Sequence, residues 1–306
     1  MPATVNIDHL RAEVADAGRT LAAAGLVAGV AGNVSARAGD LIAVTPTGAR
    51  LARLSPEQIA VVDRNGTLVD GTLAPTSELA LHLAIYRRFD AAAVVHTHPP
   101  MATAVACVAD ELPCIHYALL ALGGDVRVAR YATFGSAALA TSVVEALDGR
   151  RAALMASHGA VAFGDDLQGA IDATELLEWG CTVYVNAHAC GAPRVLGEDE
   201  RLAVVEALRS YGYGATRSVA PPVAQLDATV ATNGAEPAQD GRPLRDADSR
   251  PALDWAQRLT LHAVQRGDSD DTVARDALIE AGLVEQRADG SYAVTAAGQA
   301  ALDADE

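Results

Sequence analysis

The sequence predicts an α/β fold in which a mainly antiparallel central sheet is covered by helices. Three observations carry this. Short strand-like runs come in hairpin pairs: Asn33 to Ala38 with Leu41 to Thr45 around Gly39-Asp40, and Ile59 to Asp63 with Thr67 to Asp70 around Asn65-Gly66. Few helical stretches separate these runs, and strands joined by hairpins pair antiparallel. The run Ile7 to Ala24 is amphipathic, with Leu10, Val14, Ala17 and Leu21 on one helical face, suited to covering a sheet. With 306 residues, half of them hydrophobic, the chain can build one large domain and a small one.

Between and after the hairpins, Thr45-Pro46-Thr47-Gly48 is a tight loop. It is either a plain turn or a place where backbone N–H groups and the Thr47 hydroxyl converge on an anion. In Pro75 to Pro99, Leu79, Leu83 and Tyr86 recur at helical spacing, with Thr76 or Ser77 as the helix cap and Glu78 in the first turn. Free N–H groups and the dipole at such a helix start favour an anion. His82 lies one turn after Glu78 and reads as structural. The apolar run Ala93 to Val95 leads into His96-Thr97-His98, stopped by Pro99-Pro100, and reads as a short strand. Alternation along a strand puts His96 and His98 on the same face, either as two polar residues at a strand end or as a pair that can grip one metal ion.

Helix follows from about Met101, then Pro113-Cys114-Ile115-His116-Tyr117. Ala152 to Ala156 reads as a buried strand ended by Ser157-His158-Gly159, the glycine permitting a sharp turn. His158 makes a third imidazole. Three imidazoles with an open position match catalytic rather than structural zinc, and Glu78 is the natural fourth group, as ligand or base. Leu167 to Ala189 and Glu198 to Tyr211 complete the domain as helices.

Composition narrows the chemistry. A formal net charge of −16 argues against nucleic acid or anionic membrane as partner. No apolar run is long enough to span a bilayer, and the N-terminus lacks a basic leader, so a cytoplasmic location is expected. Cys107, Cys114, Cys181 and Cys190 form no Cys-x-x-Cys pair and read as reduced core residues. There is no lysine anywhere. That excludes Schiff-base catalysis, so cleavage of a carbon–carbon bond beside a ketone needs another way to stabilise the enediolate, for which a Lewis-acid metal is suited.

From about His9 to Tyr213 the chain resembles the class II aldolase/adducin family. The likeness rests on Gly32-Asn33-Val34-Ser35, Thr45-Pro46-Thr47-Gly48, Thr76-Ser77-Glu78, His96-Thr97-His98, His116-Tyr117, Tyr131-Ala132-Thr133-Phe134-Gly135, His158-Gly159 and Ser210-Tyr211-Gly212, in that order. The resemblance implies a three-layer domain, a homotetramer with sites between subunits, and a lyase acting on a ketose 1-phosphate such as L-fuculose 1-phosphate. It implies Zn²⁺, or another divalent ion such as Mn²⁺ or Co²⁺, on His96, His98, His158 and Glu78. It also implies a substrate phosphate held by Asn33, Thr47, Gly48, Thr76 and Ser77. Glu78 would move the donor's proton, and Tyr117, entering a neighbouring subunit's site, would protonate the aldehyde oxygen. Phe134 and Tyr211 would lie on the aldehyde side. On the same scaffold, 4-epimerases of sugar phosphates carry aspartate in place of Glu78. Methylthioribulose 1-phosphate dehydratases are a further alternative, and adducin-like interaction proteins have lost the histidines present here.

Beyond this catalytic region, taken as residues 1–218, residues 219–250 are rich in Ala, Pro, Asp and Gly and read as a flexible linker. Residues 251–306 resemble the wing half of a winged-helix module. Helices are expected over Leu253 to Val264 and Thr272 to Ala281, then a hairpin around Asp289-Gly290 and a short final helix. From Ala220 onward, 7 arginines face 16 acidic residues, which argues for a packing or protein-contact role over DNA binding.

Overall fold

The computed structural model describes residues 6–211, 278–279, 281–287 and 291–303. The chain divides into two compact units, Met1–Val204 and Val205–Glu306.

The first unit is built on nine strands: β1 (Asn33–Ala38), β2 (Leu41–Val44), β3 (Ala60–Asp63), β4 (Leu68–Asp70), β5 (Ala93–Thr97), β6 (Glu111–Leu112), β7 (Val126–Ala129), β8 (Ala152–Met155) and β9 (Gly159–Gly164). They form one sheet in the order β4-β3-β2-β1-β5-β9-β8-β7-β6. Every neighbouring pair is antiparallel except β7 with β8. Those two are joined through a helix, the crossover that a parallel pair requires. The sheet is therefore mixed, with the expected antiparallel pairing dominant.

Five α-helices of the described residues accompany it, α1 (Ile7–Ala23), α2 (Leu79–Arg88), α3 (Pro100–Ala106), α4 (Ala137–Ala146) and α5 (Leu167–Cys190), and α6 (Glu198–Tyr211) runs across the division between the two units. Strand alternation sorts the core into two layers. Val34, Ala36, Ala93 and Val95 pack with Leu10, Val14 and Leu21 of α1 and with Ala170 and Ile171 of α5. Val94, Val161 and Phe163 point the other way, to Leu81 and Ile85 of α2 and to Leu139 and Val143 of α4. The sheet thus lies between helices, and Asn33, Ser35 and His96, of the same parity as Val94, face the α2 layer. Asn33 sits directly opposite His96 across the β1–β5 pair.

The start of α2 departs from expectation. Helical backbone begins at Leu79, and Glu78 is the N-cap residue, with φ −100° and ψ 20°. The Thr76 carbonyl accepts from Leu79 N and the Thr76 hydroxyl from Glu78 N, so the neck is closed one residue later than the hydroxyl pattern suggests. Glu78 is therefore not in the first turn but on the neck.

In the second unit, β10 (Val284–Gln286) pairs antiparallel with β11 (Tyr292–Val294), followed by α7 (Ala296–Asp303). Leu278 and Val284 form its buried centre, with Ile279, Leu283, Tyr292 and Val294 packed around them. The linker read at 219–250, the helix read at Leu253 to Val264, most of that read at Thr272 to Ala281, and the Asp289-Gly290 turn lie outside the described residues.

Candidate active site

Strand β5 delivers His96 fully buried beneath a cavity. Its Nδ1 donates to the Ala160 carbonyl at 2.9 Å, which directs Nε2 toward His98 and Glu78. His98, one residue beyond β5, brings its Nε2 to 2.9 Å from that atom. His158 comes from the tip of the β8–β9 hairpin, where its N–H bonds the Met155 carbonyl. One ring nitrogen from each of the three imidazoles lies within 4.8 Å of the others.

The turn that presents His158 is not made by glycine. Ser157 takes the left-handed conformation, φ 52°, uncommon for a residue with a side chain. Gly159 serves close approach instead: a Cβ there would lie 2.4 Å from the Thr97 carbonyl oxygen and 2.9 Å from the His98 ring.

Glu78 completes the cluster. Its Oε2 lies 2.9 Å from His96 Nε2 and accepts from Asn33 Nδ2 at 3.1 Å. Its Oε1 is buried without a hydrogen-bond partner, 3.7 Å from His158 Nε2. Burial alone would raise this carboxyl's pKa, but the His96 ring, the Asn33 amide and His158 outweigh it and bring it down to about 2. Burial, then His96 and His158, pushes His98 down to about 4, and burial and His96 lower His158. Ring nitrogens of three imidazoles and an ionised carboxylate thus converge, and one carboxylate oxygen has no hydrogen-bond partner. Such a donor set fits a divalent cation.

The cavity over this cluster has a volume of about 360 Å³. Asn33, Thr47, Gly48, Thr76, Ser77, Glu78, His98, Phe134 and His158 all line it. The loop holding Thr47 and Gly48 is pinned to the neck of α2 by a Pro46–Pro75 bridge, with Thr47 N bonded to the Ala74 carbonyl and Thr76 N to the Thr45 carbonyl. Tyr131 and Ser157 also line the cavity, and residue patterns gave no role for them. Tyr131 and Phe134 are exposed at 69% and 66%, a signal only the folded chain provides. Tyr117 is 37% exposed, its ring tilted against that of His116, and is not among the residues lining this cavity. Tyr211 ends α6, and its side chain lies outside the described residues.

The class II aldolase and adducin N-terminal domain family matches residues 12–185. The chain belongs to this family. The 5-methylthioribulose-1-phosphate/5-deoxyribulose-1-phosphate aldolase of Rhodospirillum rubrum is 39% identical over 208 residues, covering 67% of this chain and 94% of that protein. The L-fuculose phosphate aldolase of Escherichia coli is 39% identical over 191 residues, covering 61% of this chain and 88% of that protein. A solved structure of an L-fuculose 1-phosphate aldolase superposes with a TM-score of 0.63 at 35% identity, covering 68% of this chain and 98% of that one. By this kinship the chain is a lyase of the class II aldolase type. Class II aldolases depend on a divalent metal, and the His96, His98 and His158 cluster could bind one. Among the described residues no helix is long and apolar enough to cross a membrane.

His82, read from the sequence as structural, is fully buried in this class II aldolase and bonds Asn33 and Ser35. Burial pushes its pKa from 6.5 down to about 3. The unfolded chain takes up this proton below pH ~6.5, while the folded chain takes it up only near its own lower value. Stability is therefore fully present above pH ~6.5 and falls as pH drops below it, by up to about 1.4 kcal/mol per pH unit from this group. Thermal melts at pH 7, 6, 5 and 4 should show a falling midpoint, with a shallower fall in His82→Leu. Equal slopes in the two proteins would remove His82 as a cause.

Proposed function

We propose that the chain reversibly cleaves a ketose 1-phosphate to dihydroxyacetone phosphate and an aldehyde. The observation that carries this reading is the cavity. It joins the Glu78 carboxylate and the His98 and His158 imidazoles, with His96 buried beneath them, to a lining that includes Thr47 and Ser77. His96, His98, His158 and Glu78 would hold the metal, for which Zn²⁺ is the first choice and Mn²⁺ or Co²⁺ the others. When bound, the ion supplies Lewis-acid polarisation of the ketose carbonyl and hydroxyl oxygens.

The protein's own groups do the rest. Asn33, Thr47, Gly48, Thr76 and Ser77 surround the phosphate. In the condensation direction, Glu78 takes a proton from the hydroxymethyl carbon of dihydroxyacetone phosphate. The electron pair left there forms the new bond to the aldehyde carbon. The aldehyde oxygen gains its proton from the partner subunit's Tyr117, which places the active site between subunits of a homotetramer. Cleavage runs the same steps backwards. Exposure of Tyr117 away from its own cavity supports this sharing.

Two substrate types follow from the relatives. L-fuculose 1-phosphate leaves a hydroxylated aldehyde, whereas 5-deoxyribulose and 5-methylthioribulose 1-phosphates leave one with an apolar end. The exposed rings of Phe134 and Tyr131 on the cavity rim favour the second type. The test is incubation of metal-loaded protein with all three, following release of dihydroxyacetone phosphate. Absence of release from every ketose 1-phosphate would exclude the reading, and water loss without carbon–carbon cleavage would point to the dehydratase.

Tyr117→Phe keeps the ring and loses the proton donor. Cleavage should slow by roughly 10²-fold, with solvent exchange into dihydroxyacetone phosphate and metal content nearly unchanged. Equal loss of both activities would move Tyr117 to the donor side or to folding. The catalytic region is proposed to be complete by residue 218, so a chain ending at Ser218 should cleave at a comparable rate. A folded, metal-loaded but inactive truncation would show that the tail completes the site.

A further inference from the structure

Behind Glu78 and Asn33 runs a buried row of polar groups, His82, Ser35 and Tyr86, that the reaction above does not use. Glu78, His82 and Tyr86 repeat at four-residue spacing along α2 and its neck. Asn33 and Ser35 repeat at two-residue spacing along β1 and face them. All five are buried, at 7% exposure or less. Their contacts are continuous: Glu78 Oε2 to Asn33 Nδ2 at 3.1 Å, Asn33 Oδ1 to His82 Nε2 at 2.5 Å, His82 Nδ1 to Ser35 Oγ at 2.7 Å, and Ser35 Oγ to Tyr86 Oη at 2.8 Å.

Donor and acceptor chemistry gives this row one direction. An amide nitrogen only donates, so Asn33 Nδ2 gives to the carboxylate and its Oδ1 must accept. His82 therefore carries its proton on Nε2, and its Nδ1 accepts from the Ser35 hydroxyl. Ser35 Oγ in turn accepts from the Tyr86 phenol. Each group has one role, and the row ends by presenting an N–H to Oε2 of Glu78. Oε1 remains as the oxygen without a partner, turned to the cluster side.

We infer that His82, backed by Ser35 and Tyr86, is a positioning residue that locks the Asn33 amide and thereby fixes which Glu78 oxygen is held and which is free to act. The inference rests on the assignment of Glu78 in the proposed function. His82 touches neither substrate nor metal in this arrangement and acts only through Asn33. Without its N–H, Asn33 Oδ1 is a buried acceptor with no donor, the amide can turn over, and the Glu78 carboxylate loses its anchor.

The test uses the full metal-loaded chain. Variants His82→Leu, His82→Gln and Ser35→Ala are compared with wild type by circular dichroism, kcat and KM for the cleaved ketose 1-phosphate, and Zn²⁺ affinity by chelator competition. His82→Leu should keep the fold and lower kcat by about 10²-fold with KM within about twofold, and it should weaken Zn²⁺ binding about tenfold. His82→Gln, whose amide can donate to Asn33, should recover about tenfold of the lost kcat. A merely structural role would give no such recovery and no split between kcat and KM. Ser35→Ala, the smaller change, should shift kcat and metal affinity in the same direction by a few-fold, and it decides the matter if His82→Leu does not fold. Wild-type kcat and Zn²⁺ affinity in either folded variant overturns the inference while leaving the aldolase reading intact. If wild type binds Zn²⁺ but cleaves no ketose phosphate, the aldolase reading fails and the affinity measurements alone decide the positioning. If wild type neither cleaves nor binds metal, both fall.

Discussion

Glu78→Gln should nearly stop exchange of the hydroxymethyl proton of dihydroxyacetone phosphate with solvent, a fall of about 10³-fold. Glutamine keeps the length and can still accept from Asn33 Nδ2, but it cannot take a proton. In the native site the carboxyl is held ionised, at a pKa of about 2, by the His96 ring, the Asn33 amide and His158 acting against burial. The lowered pKa keeps it in the deprotonated form that a base requires. Deuterium incorporation followed by NMR reads the effect directly. Exchange within a few-fold of wild type, with metal bound, would assign the base elsewhere. Set beside Tyr117→Phe, which should spare exchange and slow cleavage, the two variants separate the two sides of the broken bond.

His96→Ala should remove the metal. His96 is fully buried, and its Nδ1 bond to the Ala160 carbonyl fixes Nε2 toward His98 and Glu78. Alanine deletes the imidazole at the centre of the cluster and leaves a buried carbonyl without its donor, which costs about 1–3 kcal/mol. Metal analysis after dialysis should find almost none bound, cleavage should be lost, and the melting temperature should drop by several degrees with the circular dichroism unchanged. Full metal content in this variant would break the ligand assignment, because no other described histidine lies close enough to replace it. His82→Leu should weaken metal binding and not abolish it, so the two histidines of this layer are distinguished by degree.

Much of this site was legible because its parts obey short-range rules. His96 and His98 share a face through strand alternation, whatever the strand is paired with, and two turn-forming dipeptides were enough to set the hairpins of β1–β4. What could not be read depends on partners far away in the chain. His82 bonds Asn33 and Ser35, 49 and 47 residues distant, and one turn after Glu78 it is indistinguishable from a satisfied core histidine until β1 is placed opposite. The parallel β7–β8 pair needs the crossover through α4 to be known. The neck before α2 differs from the hydroxyl pattern because the Thr76 hydroxyl accepts from a following N–H, that of Glu78, while helical backbone begins only at Leu79. The left-handed Ser157 gives no warning in its residue type, since glycine stands two positions on and draws the expectation to itself.

The pairing of α2 with β1 also limits how this region can change over evolutionary time. Four residues of helix rise about 6.0 Å, and two residues of strand about 6.6 Å. The two scales nearly coincide, like a vernier, and drift apart by only a fraction of an ångström at each step. Three marks on one and two on the other therefore stay aligned with ordinary hydrogen-bond lengths, whereas a much longer run would fall out of phase. Adding or deleting one residue between Glu78 and Tyr86, or between Asn33 and Ser35, turns the later marks away from their partners at once. Point substitutions on the outward side of α2 disturb no mark. Homologous sequences should accordingly vary freely in residue identity on the outward side of this stretch, while its length between those marks stays fixed.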